Sequence, residues 1–179
     1  MKPAIPSPCI VDTNVALVAN GSSTAGIACR NACTKALTQI VASGHVVIDD
    51  GWRILKEYSN RLSPSGQPGP GDAFLKWLLS NHRNVSRCTQ VHITQASSDP
   101  TDFVEFPQAP GLSEFDRSDR KFVAVAAAHP AHPPILEAFD SKWWGWAPAL
   151  RAAGLEVLFL CPEVIEAKYD EKMRPKSST

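Results

Sequence analysis

Asp12, Glu57, Asp119 and Asp140 are the residues of this chain whose type and placement could do chemistry together. Asp12 directly follows the apolar triplet Cys9-Ile10-Val11, and Asn14 comes two residues later. A carboxylate at the end of a buried strand is costly unless something pairs with it. Asp140 ends the run "PILEAFD" in the same manner. Asp119 shares helical spacing with Phe122, Val123 and Ala126, which turns it toward the interior. Glu57 lies in the middle of "WRILKEYSNRL". Like charges gathered at one place repel unless cations neutralise them. Hard oxygen ligands suit Mg²⁺ or Mn²⁺, and such an ion can activate water and stabilise charge developing on a phosphoryl group.

Each carboxylate also has a simpler reading. Asp12 or Asn14 serves equally as a helix N-cap. Glu57 has Arg53 four residues before it and Arg61 four residues after, the spacing of exposed helical ion pairs. Asp119 suits the positive end of a helix, with Asp116 and Ser118 competing for the cap. Asp140 suits a turn. The nearby basic residues Arg61, Arg120, Lys121 and Lys142 could position a phosphate backbone without reading its sequence, or form a solvated face. Trp143, Trp144 and Trp146 crowd beside Asp140. Packing in a core or dimer interface is their first reading and base stacking their second.

The elements that must position these residues alternate along the chain. Strands are predicted at 9–12, 45–50, 88–94, 135–139 and 155–160, where short apolar or β-branched runs occur. Helices are predicted at 24–43, 51–62, 73–81, 119–128 and 143–153, with Gly44 and Gly154 as natural stops. Residues 63–72, with three Pro and three Gly, break the chain, and 99–111 reads as a proline-bearing loop. The polar segment 168–179 is predicted to fray. Such alternation implies a parallel α/β sheet, whose sites form at the carboxyl ends of the strands. Asp12 and Asp140 both fall there.

Composition narrows the classes. The chain has 179 residues, 44% hydrophobic and 20% charged, which suits one domain with a real core. Lys+Arg and Asp+Glu both number 18, so net charge gives no general attraction to nucleic acid. Five cysteines without a C-x-x-C pair argue against a secreted disulfide framework and against a zinc site. Cys29 and Cys33, one helical turn apart, read as small core residues. No signal peptide is visible, and no apolar run approaches the roughly 18 residues of a membrane span. A reducing cytoplasm is the expected compartment.

Several stretches together resemble the PIN-domain nucleases. "IVDTNVAL" is similar to that family's opening strand and first acid. "WRILKEYSNRL" supplies a second acid, and "DRKFVAVAAAH" resembles the helix of the third. "ILEAFDSKWWGW" resembles the strand end of the fourth, and "GLEVLFLCPEVI" the closing strand. The order and spacing extend over residues 8–164. The resemblance implies a PIN-like three-layer α/β/α sandwich with a central, mainly parallel sheet over residues 1–165, and a polar tail over 166–179. It implies that Asp12, Glu57, Asp119 and Asp140 surround one or two Mg²⁺ or Mn²⁺ ions, with Asn14 hydrogen-bonding Asp12 or a metal-held water. The implied activity is hydrolysis of single-stranded RNA, with DNA second. The implied partners are a second copy of the chain and an antitoxin protein.

The chain departs from that pattern at Lys142, where many relatives carry a further acid. This bears on whether a second ion binds. Lys142 then faces either a substrate phosphate or solvent, and Asp116 either replaces the missing acid in part or caps a helix. The alternative expectation is a PIN-like module that binds RNA or a protein without cutting. A phospho-aspartate phosphohydrolase is disfavoured, because Asp12 is followed by Thr-Asn-Val and not by a second Asp at the required position.

Overall fold

The apolar runs form five short strands, all parallel, in a computed structural model that describes residues 4–173. They are β1 (Ile10–Val11), β2 (Val46–Asp49), β3 (Cys88–Val91), β4 (Ile135–Glu137) and β5 (Val157–Phe159). β1 pairs with β4 in the register Val11–Leu136, β4 with β5 as Leu136–Leu158, and β2 with β3 as Ile48–Gln90. A single parallel bridge between Cys9 and Val46 joins the two ladders. Cys9 N donates to His45 O at 3.0 Å and Val47 N to Cys9 O at 2.9 Å. The spatial order is therefore β3-β2-β1-β4-β5. β1, β2 and β4 are buried throughout, as continuous apolar runs in a parallel sheet require.

Among the described residues there are seven α-helices: α1 (Thr13–Ala19), α2 (Ile27–Ser43), α3 (Arg53–Arg61), α4 (Pro70–Asn81), α5 (Arg120–Ala128), α6 (Ser141–Ala152) and α7 (Pro162–Met173). The fold is thus mixed α/β with a small parallel sheet. α5 packs against β1, β2 and β4, while α1 packs against α2 and α4. The α1–α4 approach is close. A Cβ on Gly71 would stand 2.2 Å from the Ala16 carbonyl oxygen. Trp143 is fully buried and meets Phe115 edge-on, Trp146 lies against Phe115, and Trp144 lies against Phe159. All three tryptophans therefore pack within the fold.

The structure corrects the sequence reading at several places. α1 is implied only by the cap reading of Asp12, without a range; it forms because Asp12 caps it and Val15, Ala16, Val18 and Ala19 are buried. α2 starts at Ile27, behind the cap Gly26, and not at residue 24. Residues 168–173, expected to fray, belong to α7, which Ile165 anchors with no exposed surface. The expected boundary between residues 165 and 166 falls inside that helix, and 174–179 lie outside the described residues. Cys29 is not a simple core thiol: it forms a disulfide with Cys161, 132 positions away. That distance hides the pair from any local spacing rule. No described helix is long and apolar enough to cross a membrane.

Candidate metal centre

The pairing of β1 with β4 sets the carboxyl ends of the two strands side by side. Asp12 leaves β1 with its backbone N–H donating to Leu136 O at 3.0 Å. Its side chain accepts the Asn14 N–H at 2.8 Å and so caps α1. Asp12 is only 5% exposed. Beside it lies Glu137, the last residue of β4, with no exposed surface. Glu137 Oε1 accepts N–H groups from Phe139 at 3.0 Å and Asp140 at 2.9 Å. Its Oε2 is buried with no hydrogen-bond partner.

The parallel pairing of β1 and β4 brings the Asp12 and Glu137 carboxyls close enough to perturb each other. Two carboxylates are both acceptors, so the contact is favourable only with a shared proton or a cation between them. Burial drives Asp12 well above the usual carboxylate range, and the Glu137 and Asp119 charges add to the shift. Burial likewise pushes Glu137 up to about 7. A buried oxygen without a donor beside a second buried carboxyl suits a hard divalent ion.

The remaining acids arrive from three other segments. Glu57 is carried by α3, which the buried Tyr58 fixes by donating its hydroxyl to Val11 O. The start of α3 is held by Asp49, at the end of β2, which accepts the N–H groups of Arg53 and Ile54, both at 2.9 Å. Glu57 accepts the Thr13 hydroxyl and pairs with Lys121. The helical partners expected for it are not the ones used: Arg53 pairs with Asp49. Asp119 is half-buried where a short 3₁₀ turn passes into α5. Burial, then the Asp116 charge, pushes it up to about 6, with Lys121 opposing. Asp140 caps α6 by accepting the Lys142 N–H at 3.0 Å.

Asp12, Glu57, Asp119 and Asp140 line one cleft of about 570 Å³. Asn14 also lines it, but its side chain does not bond Asp12. Its Oδ1 accepts the Phe139 N–H at 2.9 Å and ties α1 to the exit of β4. The cleft wall carries Arg61 and Lys121, as expected, and also Arg53, Lys56, Asn60 and Arg117. Two further residues expected to contact phosphate are engaged with acids outside the cleft lining. Arg120 is turned to Asp102 at 3.4 Å and lies over the Phe106 ring. Lys142 pairs with Asp116 at 3.0 Å, outside the cleft lining. Asp116 caps the 3₁₀ turn through Ser118, and Lys142 holds its carboxyl below the usual range. The Asp116 charge nevertheless acts on Asp119.

Glu137 is the residue the sequence reading missed. Its signal was an acid inside the otherwise apolar "ILEAF". Fold and site together define an α/β protein with an acidic cleft at the carboxyl ends of parallel strands. No protein-family model, curated protein or solved structure matches the chain.

Proposed function

We propose that this chain is a Mg²⁺- or Mn²⁺-dependent endoribonuclease of the PIN-domain type, built as a three-layer α/β/α sandwich and acting on single-stranded RNA. The observation that carries the reading is the convergence of four carboxylates, Asp12, Glu57, Asp119 and Asp140, from four separate segments on one cleft, with the buried Glu137 next to Asp12. Asp12, Asp119 and Asp140 would hold the ion, with Glu57 also lining the cleft and Glu137 buried next to Asp12. When bound, the ion supplies charge neutralisation, activation of water and stabilisation of negative charge on the phosphoryl group.

The chain's own residues do the rest. The Asn14 side chain fixes the Phe139 N–H, and Glu137 fixes the N–H groups of Phe139 and Asp140, so the Asp140 backbone is set before any ligand arrives. Lys121 neutralises Glu57 from within the site. Lys56 and Arg61 stand exposed at the cleft and suit the phosphates of a bound strand. The same reading places the protein in the cytoplasm, as a homodimer, with an antitoxin as its protein partner.

The test is cleavage of labelled single-stranded RNA, and of DNA in parallel, with Mn²⁺ or Mg²⁺, beside the Asp12→Asn/Asp119→Asn double variant. Cleavage by the native chain alone is expected; equal cleavage by both overturns the proposal. The second reading, a module that binds RNA or a protein without cutting, is favoured by the Lys121–Glu57 ion pair, which takes one acid out of play. Calorimetric titration separates the two, because the module binds neither ion through its carboxylates.

A further inference from the structure

Far in sequence from the acids, a second cluster forms from sulfur. Cys29 and Cys33 stand four residues apart on α2, and Cys161 immediately precedes α7. Their Sγ atoms all lie within 4.8 Å of one another. All three residues are buried, at 2%, 0% and 6% exposure. Cys29 and Cys161 are joined as a disulfide, and Cys33 stands outside that bond. No local rule requires a third cysteine at such a bridge.

We infer that, once the Cys29–Cys161 bond is reduced, the three sulfurs bind one thiophilic cation of the Zn²⁺ class. Tetrahedral Zn²⁺ with Zn–S distances of about 2.3 Å needs sulfurs about 3.8 Å apart; Cys33 Sγ already lies within 4.8 Å of the other two, and the bonded Cys29 and Cys161 sulfurs have to part by side-chain rotation once reduced. Thiolates select soft or borderline cations, and an apolar burial site excludes the hard ones. Cys161 sits at the positive end of α7, its carbonyl accepting the N–H groups of Val164 at 3.2 Å and Ile165 at 3.1 Å. That position favours the thiolate form. A cavity of about 990 Å³ lined by Cys29, Cys161, Trp144 and Phe159 opens beside the cluster. It reaches two of the three cysteines, Cys29 and Cys161, and would give a cation its approach.

The chemistry balances in two steps. An external thiol or phosphine reductant supplies two electrons to the disulfide, and two protons make two thiols. Zn²⁺ then displaces three protons from three thiols, leaving a tris-thiolate centre of net charge −1 at the start of α7. The bridged and metal-bound forms exclude each other, so the redox state decides whether the site exists. None of these residues belongs to the acidic cleft.

The test is titration of the full, phosphine-reduced chain with Co²⁺ under anaerobic conditions, since Co²⁺ bound to thiolate shows a near-ultraviolet charge-transfer band. The band is expected to saturate at one equivalent per chain and to be displaced by Zn²⁺. It should be absent from the oxidised chain and lost in Cys33→Ala. It should persist in Cys9→Ala, Cys88→Ala and Asp12→Asn/Asp119→Asn. Retention of the disulfide mass signature by oxidised Cys33→Ala shows that this variant keeps the fold. In the unmutated reduced chain, Zn²⁺ should slow alkylation of Cys29, Cys33 and Cys161 at least tenfold and leave Cys9 and Cys88 unchanged. No band, a band that survives Cys33→Ala, or alkylation indifferent to Zn²⁺ overturns the inference.

Discussion

Asp12 caps α1 through the Asn14 N–H and in the same position faces the Glu137 carboxyl. The cap and the site are two uses of one side chain, which is why spacing alone left its role open. Glu137 was harder to see, because "ILEAF" reads as one more buried strand and only the structure turns its acid toward Asp12. An acid whose folded pKa is raised binds its proton more tightly in the native state, so ionisation works against the fold. The metal-free protein should therefore be more stable at pH 5 than at pH 8. The advantage is lost as pH rises through about 6 for Asp119 and about 7 for Glu137. Denaturant unfolding at the two pH values should differ by on the order of 2–3 kcal/mol from the buried Glu137, and Mn²⁺ should remove most of the difference. Glu137→Gln tests the same contact directly. Its amide oxygen can still accept from Phe139 and Asp140, while its amide nitrogen gives Asp12 a donor. The variant should be more stable than the native chain at pH 8 without metal, by about 1–3 kcal/mol. It should bind Mn²⁺ at least tenfold more weakly by calorimetry.

The elements were legible wherever an apolar run had clean ends. All five strands and five of the helices occur within a few residues of their expected places, because Gly44, Gly154 and the 63–72 breaker punctuate the pattern. The range of α1 escaped because seven residues give too short a period to distinguish a helix from the continuation of a strand. α7 escaped because its sequence is polar over most of its length, and Ile165 alone is fully committed to the core. How α1 sits is fixed from outside it. Asn20, just beyond its end, accepts the Gly71 N–H at 2.8 Å and donates to Asp72 at 2.9 Å, docking the start of α4. The missing side chain at Gly71 then lets the two backbones meet. Gly71→Ala must push a carbonyl aside and should cost about 1–3 kcal/mol. Gly26→Ala, with nothing within 4 Å of the new Cβ, should cost only what a weaker N-cap loses, about 0.5–1 kcal/mol. Thermal melts of the two variants measure the contrast.

At the scale of the whole molecule, two features cannot be read from any local segment. The Cys29–Cys161 bridge closes a loop across 132 positions and fastens α2 to the start of α7. A loop of that size constrains the unfolded chain strongly, so reduction should lower the unfolding free energy by about 2–5 kcal/mol. Paired denaturant titrations of the oxidised and reduced chains give the value. The other feature is the distribution of charge. Eighteen cationic and eighteen acidic residues sum to zero, yet the cleft gathers acids at its floor and Arg53, Lys56, Arg61 and Arg117 along its wall. Net charge therefore says little about the local field that a phosphate backbone meets. Arg53 and Arg117 are already engaged, with Asp49 and Asp99, which leaves Lys56 and Arg61 as the exposed cations of the wall. If both touch phosphates, Lys56→Ala/Arg61→Ala should weaken single-stranded RNA binding about equally for every sequence. The slope of log affinity against log salt should become shallower by about 0.7 for each phosphate no longer neutralised, roughly 1.4 in all. Fluorescence anisotropy over a salt series, in the Asp12→Asn/Asp119→Asn background so that no RNA is cut, reads both quantities. An unchanged slope would place the RNA on another face of the molecule.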